Sequence, residues 1–275
     1  MLPWRLLSLL TAGLGGGAMT LPDPAAPDLP KRGLASNSDS HFPEPKYFHE
    51  SRYRIHYDAR FAKKGLDDAA QQQGIKVLIQ TYLATFRELG IQTWLMHGTL
   101  LGWWWGQKAC PLMHSCVMEA DMYFLAAYYN MSTYYFKYDQ APKGRYFRLE
   151  VNPHFRHREP DDVLNVIDAR WIDMENGLFI DITAARYDIG HKKGEGILYD
   201  KNGHQFRDTY VFPLLDTTFE GTPAKIPYKY RDMLASEYGE KALKRTEYHD
   251  YTFNDATMTW ISPKDEDEKI SDPSS

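Results

Sequence analysis

The chain has 275 residues, 43% of them hydrophobic and 14% aromatic, with a formal net charge of −5. That is long and apolar enough for one sizeable domain or two small ones. The acidic balance and the lack of a long basic stripe exclude the usual profile of a nucleic-acid-binding protein.

Met1-Leu2-Pro3-Trp4-Arg5 is a short positive start, followed by an apolar, small-residue run from Leu6 to Ala18. This is the pattern of a signal peptide or a signal anchor over residues 1–20, with Gly16-Gly17-Ala18 as the cleavage region. It predicts entry into the secretory pathway, with the Golgi lumen, held by an N-terminal membrane anchor, or the exterior as destination. In that route Asn130-Met131-Ser132 is a glycosylation sequon. Residues 21–46 are rich in Pro, Ser, Asp and Asn and read as a flexible linker. Folded structure is expected over 47–258, with a charged tail over 259–275.

Ile75, Leu78, Ile79, Tyr82, Leu83, Phe86 and Leu89 recur at helical spacing. They predict an amphipathic helix over 67–89, capped by Gly90. Ile91 to Met96 then reads as a buried strand. The stretch His97-Gly98-Thr99-Leu100-Leu101-Gly102 reads as a small-residue turn feeding a helix over 100–108. Backbone N–H groups at such a helix start form a phosphate site. Trp103-Trp104-Trp105 is expected to help pack that helix. Cys110 and Cys116 either pair across a short loop in an oxidising compartment or remain free thiols.

Residues 109–121 show no clear strand or helix period and are expected to be the least defined part of the domain. Met122 to Asn130 reads as a helix and Arg145 to Val151 as a strand. Val163–Asp173 and Leu178–Tyr187 read as two strands joined through Asn176-Gly177, a strong hairpin signal. A final helix is expected over 228–238. Mixed helices and strands with an antiparallel hairpin predict an α+β domain, a mixed sheet packed by helices.

Ile180-Asp181-Ile182 sets a carboxylate inside an apolar strand. A buried carboxylate is costly unless paired or metal-bound, so Asp181 is either a metal or base carboxylate or an Asp on a wet sheet face. Asp168 and Arg170 are placed to form a cross-strand charge network with it. His154, Arg156, His157 and Arg158 form a basic cluster suited to a phosphate, or else a solvated loop.

These motifs carry a resemblance. Trp94 through Trp104, Phe179-Ile180-Asp181-Ile182, Phe219-Glu220-Gly221, Ile226-Pro227 and Tyr238-Gly239 together resemble the LicD/fukutin family. Asn165 to Tyr187 is most similar to its fungal branch of yeast-type mannosylphosphate-transfer proteins. The resemblance implies a nucleotidyltransferase-like fold and transfer of a phospho-sugar from a nucleotide-activated or phospho-sugar donor to a glycoprotein glycan. It also implies a divalent metal, Mg or Mn. It places donor-phosphate contacts on His97, Gly98 and Thr99, and a catalytic and metal-ligand role on Asp181; Arg156 and Arg158 join as phosphate-binding candidates.

One departure is evident. The family carries a Trp-Asp-x-Asp-x-Asp strand soon after the Gly-Thr turn, whereas this chain has Leu112-Met113-His114-Ser115-Cys116-Val117-Met118, without an Asp. Three readings follow. The chain is a catalytically impaired or regulatory member, including a glycan- or nucleotide-sugar-binding subunit of a transferase. Or its transcript is mis-spliced across this stretch. Or Glu119 and Asp121 supply the missing metal ligands.

Overall fold

A computed structural model describes residues 45–261 except 52–55, 63–64, 110–112, 139–140, 159–162, 192–195 and 249–250. The signal segment, nearly all of the linker and Cys110 lie outside the described residues. No described helix is long and apolar enough to cross a membrane.

The elements follow in chain order as α1 (Asp68–Glu88), β1 (Thr93–Leu95), α2 (His97–Gly106), β2 (His114–Met118), α3 (Glu119–Tyr128), β3 (Thr133–Tyr138), β4 (Ala141–Val151), β5 (Ala169–Asp173) and β6 (Phe179–Tyr187). Next come β7 (Ile197–Tyr199), β8 (Gln205–Arg207), α4 (Asp208–Val211), β9 (Leu215–Phe219), β10 (Thr222–Ile226), α5 (Tyr230–Tyr238), β11 (Glu247–Tyr248), β12 (Tyr251–Asn254) and β13 (Thr259–Ile261). The main sheet runs β1-β2-β6-β5-β4-β3, with β7 on β6 and β8 on β7. Among the described residues only the β2–β6 pair is parallel; the other pairs of this sheet are antiparallel. This is the mixed α+β sheet expected of a nucleotidyltransferase-like fold.

α1 forms where the 3.6-residue period requires it. Asp67 caps its start by accepting the Ala70 N–H at 2.8 Å. Gly90 (φ 70°) takes the left-handed turn after it at no steric cost. The apolar stripe Leu78, Tyr82 and Phe86 is fully buried, each side chain worth roughly 1.5–3 kcal/mol. It meets the sheet face carrying Trp171, Ile180 and Ile182, and the Trp171 indole donates to Thr81 Oγ1 at 3.1 Å. The opposite face is closed by a smaller cluster of Trp94, Met96, Cys116, Ala185, Leu198 and Val211.

The Asn176-Gly177 hairpin joins β5 to β6, with Gly177 at φ 83°. β5 is shorter than expected: residues 163–164 are a turn and pairing starts at Ala169. The three tryptophans do pack α2. Their indole N–H groups donate to Thr217, Leu243 and Ala242 respectively. Trp105 lies against Phe253 and Trp260. Trp260 belongs to β13, so residues 259–261, read above as the start of the tail, are part of a small sheet with β11 and β12.

The expectation for residues 109–121 is corrected over 114–121, while residues 110–112 lie outside the described residues. His114–Met118 is a regular strand, paired antiparallel with β1 and parallel with β6. It is a central strand with Ser115, Cys116 and Val117 all buried. A strand buried on both faces has no polar alternation, so periodicity does not reveal it.

Candidate functional site: a polar row and a histidine corner

Register sets four polar residues side by side across adjacent strands. Glu150 of β4 faces Arg170 of β5, Arg170 faces Asp181 of β6, and Asp181 faces His114 of β2. Residues two apart on a strand share a face, so this row lies on the side away from α1. Arg170 Nε donates to Asp181 Oδ1 at 2.6 Å, and Arg170 Nη2 reaches Glu50 at 3.4 Å. The guanidinium also lies 3.6 Å from the Phe179 ring centroid. His114 Nε2 stands 3.9 Å from Asp181 Oδ2. Burial pulls the His114 pKa below its ordinary value, so the ring is neutral at pH 7. The expected Arg170–Asp181 contact is present. Asp168 goes elsewhere: its carboxylate takes Arg186 at 2.9 and 3.1 Å, Lys201 at 2.9 Å and the Ala184 N–H at 2.8 Å.

The first turn of α2 is tied to β2, the strand beside Asp181. Thr99 Oγ1 accepts the His114 N–H at 2.6 Å, and His114 is the register partner of Asp181. The expected free backbone donors are not there, however. The Thr99 and Leu100 N–H groups both donate to the Met96 carbonyl, at 3.1 and 3.2 Å, because the helix starts at His97, three residues earlier than periodicity suggests. Thr99 is buried and ties α2 to β2.

Glu119, Asp121, Arg156 and Arg158 are not brought to Asp181. Glu119 lies five residues beyond His114, about 16 Å along the strand direction. There it pairs with Arg158 at 3.1 Å and Arg186 at 3.6 Å. Asp121 stands in the first turn of α3, where burial raises its pKa. Arg156 lies over Tyr123 and Phe155, and Arg158 donates to the Tyr187 carbonyl at 3.2 Å. The basic cluster thus caps the far end of β2 and β6 and neutralises Glu119.

A hard divalent ion such as Mg or Mn needs several oxygen ligands. Around Asp181 the described residues offer its own carboxylate, already held by the Arg170 guanidinium, with Glu50 engaged on that same guanidinium and a neutral imidazole alongside. They do not fit such an ion.

Beside this row lies a corner that sequence reading missed in part. His97 opens α2 with φ 51°, a left-handed conformation that costs energy for a side-chain-bearing residue. Its Nδ1 bonds the Glu237 carboxylate at 3.0 and 3.1 Å. Its Nε2 faces Asp200 Oδ2 at 3.3 Å and is buried without a hydrogen bond of good geometry. Asp200 Oδ2 also meets His204 Nδ1 at 2.9 Å, while Oδ1 accepts the His204 N–H at 3.1 Å. The two imidazoles lie 4.2 Å apart, centroid to centroid. Burial alone would depress the His97 pKa, but the facing Asp200 and Glu237 carboxylates outweigh it and hold it at about 9. Glu237 and Asp200 are correspondingly held below the usual carboxylate range. His97, Asp200 and His204 each present one ligand atom, all within 4.8 Å of one another. Asp200 and His204 bracket the turn between β7 and β8. The one signal for them in the sequence is an Asp-x-x-x-His spacing around Gly203.

The curled mixed sheet, the helix packed behind it and the His-Gly-Thr helix start opposite an acidic strand define a nucleotidyltransferase-like domain. The description LicD/FKTN/FKRP, nucleotidyltransferase domain, matches residues 90–229, half of the chain, and the chain belongs to that family. It is 32% identical over 151 residues to Mannosyltransferase regulator 4 of Saccharomyces cerevisiae, covering 50% of this chain and 13% of that protein. It is 29% identical over 135 residues to Mannosyltransferase regulator 14 of the same yeast, covering 46% of this chain and 14% of that protein. The chain therefore spans a small part of the length of the curated relatives it matches. Members of the family are generally metal-dependent.

Proposed function

We propose that this chain acts in glycoprotein glycan modification as a non-catalysing LicD domain that regulates a mannosyl- or mannosylphosphate transferase in the lumen of the secretory pathway. The observation that carries this reading is the state of Asp181. Its Oδ1 is occupied by Arg170 at 2.6 Å, and the strand beside it presents His114 where a second carboxylate would have to stand. Metal-assisted phosphoryl transfer depends on neutralising charge on the transferred group. A carboxylate already neutralised by a guanidinium that also holds Glu50 does not assemble that machinery. The relatives' names, both mannosyltransferase regulators, support a role beside a transferase.

The test is a transfer assay of the full chain with a nucleotide-activated mannose donor, a mannan-type acceptor and Mg or Mn. The expected result is no transfer above background, together with a changed rate when a mannosyltransferase from the same cells is added. Metal-dependent transfer that vanishes in Asp181→Ala would overturn the reading. Resequencing the transcript across codons 109–121 gives a second check. An inserted Trp-Asp-x-Asp-x-Asp stretch would restore a transferase and retire the regulator.

A further inference from the structure

We propose that His97 Nε2, Asp200 Oδ2 and His204 Nδ1 form a binding site for one transition-metal ion of the zinc class. The site is distinct from the Asp181 strand and independent of the functional reading above.

Three features argue for it. The first is spacing. Ligand atoms about 2.0–2.1 Å from a tetrahedral ion stand about 3.3 Å from one another. The His97–Asp200 and His204–Asp200 pairs are at 3.3 and 2.9 Å, and the three atoms lie within 4.8 Å. A small inward turn of the His204 ring, which is 38% exposed at the edge of a turn, closes the set.

The second is support around the ligands. His97 Nδ1 is bonded to Glu237, and Asp200 Oδ1 is bonded to the His204 backbone. Metal-binding histidines characteristically donate the other ring N–H to a carboxylate, which fixes the ring and its tautomer. The third is the orphaned atom. His97 is 6% exposed, and its Nε2 has no hydrogen-bond partner of good geometry. It is aimed at Asp200 from a strained backbone.

Two imidazoles and one carboxylate suit zinc and its neighbours rather than magnesium. On binding, His97 gives up its Nε2 proton to solvent, and His204 moves its proton from Nδ1 to the exposed Nε2. Three protein ligands leave a fourth position for water or an anionic group.

The experiment uses the full chain, stripped with a chelator, then dialysed against zinc and, separately, cobalt(II). About one equivalent of zinc per chain is expected, with an intense tetrahedral cobalt spectrum. His204→Ala, at the solvent edge of a turn, should bind at least roughly tenfold more weakly while melting like the stripped wild type. Asp181→Asn should keep its zinc. Absence of zinc in the wild type, equal zinc in His204→Ala, or a weak octahedral cobalt spectrum would each overturn the proposal. If His204→Ala does not fold, the wild-type cobalt spectrum still decides. Loss of zinc in Asp181→Asn would move the site to the neighbouring row and overturn it as well.

Discussion

Asp168 and Asp200 are both buried carboxylates, each with two cationic or potentially cationic side chains, and they are built for different ends. Asp168 is closed by Arg186 and Lys201. A guanidinium does not give up its proton in a protein, so no ion can take its place. Asp200 is closed by two histidines, and an imidazole nitrogen, unlike a guanidinium, can give up its proton and leave behind a lone pair. Neighbouring turn residues, Asp200 and Lys201, serve the two clusters in turn: one carboxylate open to exchange, one ammonium sealing a structural network. Asp181, held by Arg170, belongs with Asp168. An arginine-sealed carboxylate stabilises the fold, whereas a histidine-sealed one can trade protons for a metal.

The largest expected effect breaks the sealed cluster. Asp168→Ala takes the carboxylate from between the buried Arg186 and Lys201 and leaves Arg186 only the longer Glu119 contact at 3.6 Å, and it should destabilise the protein by roughly 3–5 kcal/mol in urea unfolding. A loss under about 1 kcal/mol would mean that the network is not stabilising. Asp181→Asn should cost less, on the order of 1–3 kcal/mol. Arg170 retains Glu50 at 3.4 Å and the face of Phe179. A cost equal to that of Asp168→Ala would show that these secondary contacts carry nothing.

The same contrast bears on how much the sequence discloses. The helix α1, the Asn-Gly hairpin and the buried Asp181 are written locally, in a period, a dipeptide and a flanking pair of isoleucines. The strand β2 is not. It is held by pairing on both edges, and its buried Ser115-Cys116-Val117 core leaves no alternation to read. The His97 motif is visible as a helix start, but its meaning depends on partners 103 to 140 residues away, Asp200, His204 and Glu237. Those partners sit in a turn and at the end of a helix, where an Asp, a His or a Glu is unremarkable. The acids that lay nearest in sequence, Glu119 and Asp121, are carried about 16 Å away simply by the rise of β2.

A smaller effect separates the clusters by pH in the metal-stripped protein. The folded pKa of His97 is raised from 6.5 to about 9. Its stabilisation is therefore complete below about pH 6.5 and is lost as pH rises through about 9. Asp200 and Glu237 are depressed, so their share is present above the usual carboxylate range and lost as acid reaches their lower folded values. Thermal melting of stripped protein should thus peak in mildly acidic solution and fall by a few degrees toward pH 9.5. His97→Gln should flatten that alkaline limb, and Asp168 variants should not. An alkaline limb unchanged in His97→Gln would detach the pH response from the histidine corner.

The smallest effect concerns the thiol beneath that corner. Cys116 is buried and free among the described residues, and it lies on the same sheet face as His114. A thiol joins a metal site only as thiolate. Burial, reinforced by the nearby Asp200 carboxylate, pushes the Cys116 pKa well above its ordinary value. At pH 7 it is a protonated, apolar filler packed with Trp94, Met96 and Leu198. Cys116→Ala should therefore leave zinc stoichiometry unchanged and produce no charge-transfer band difference in the cobalt protein, at the cost of a small cavity. In the native wild type, maleimide should modify Cys116 only at the rate of global unfolding. Rapid labelling at pH 7 that zinc protects against would show a thiolate in the ligand set. The corner would then be a sulfur-containing site, and the distinction drawn between proton-exchanging and sealed carboxylates would no longer describe it.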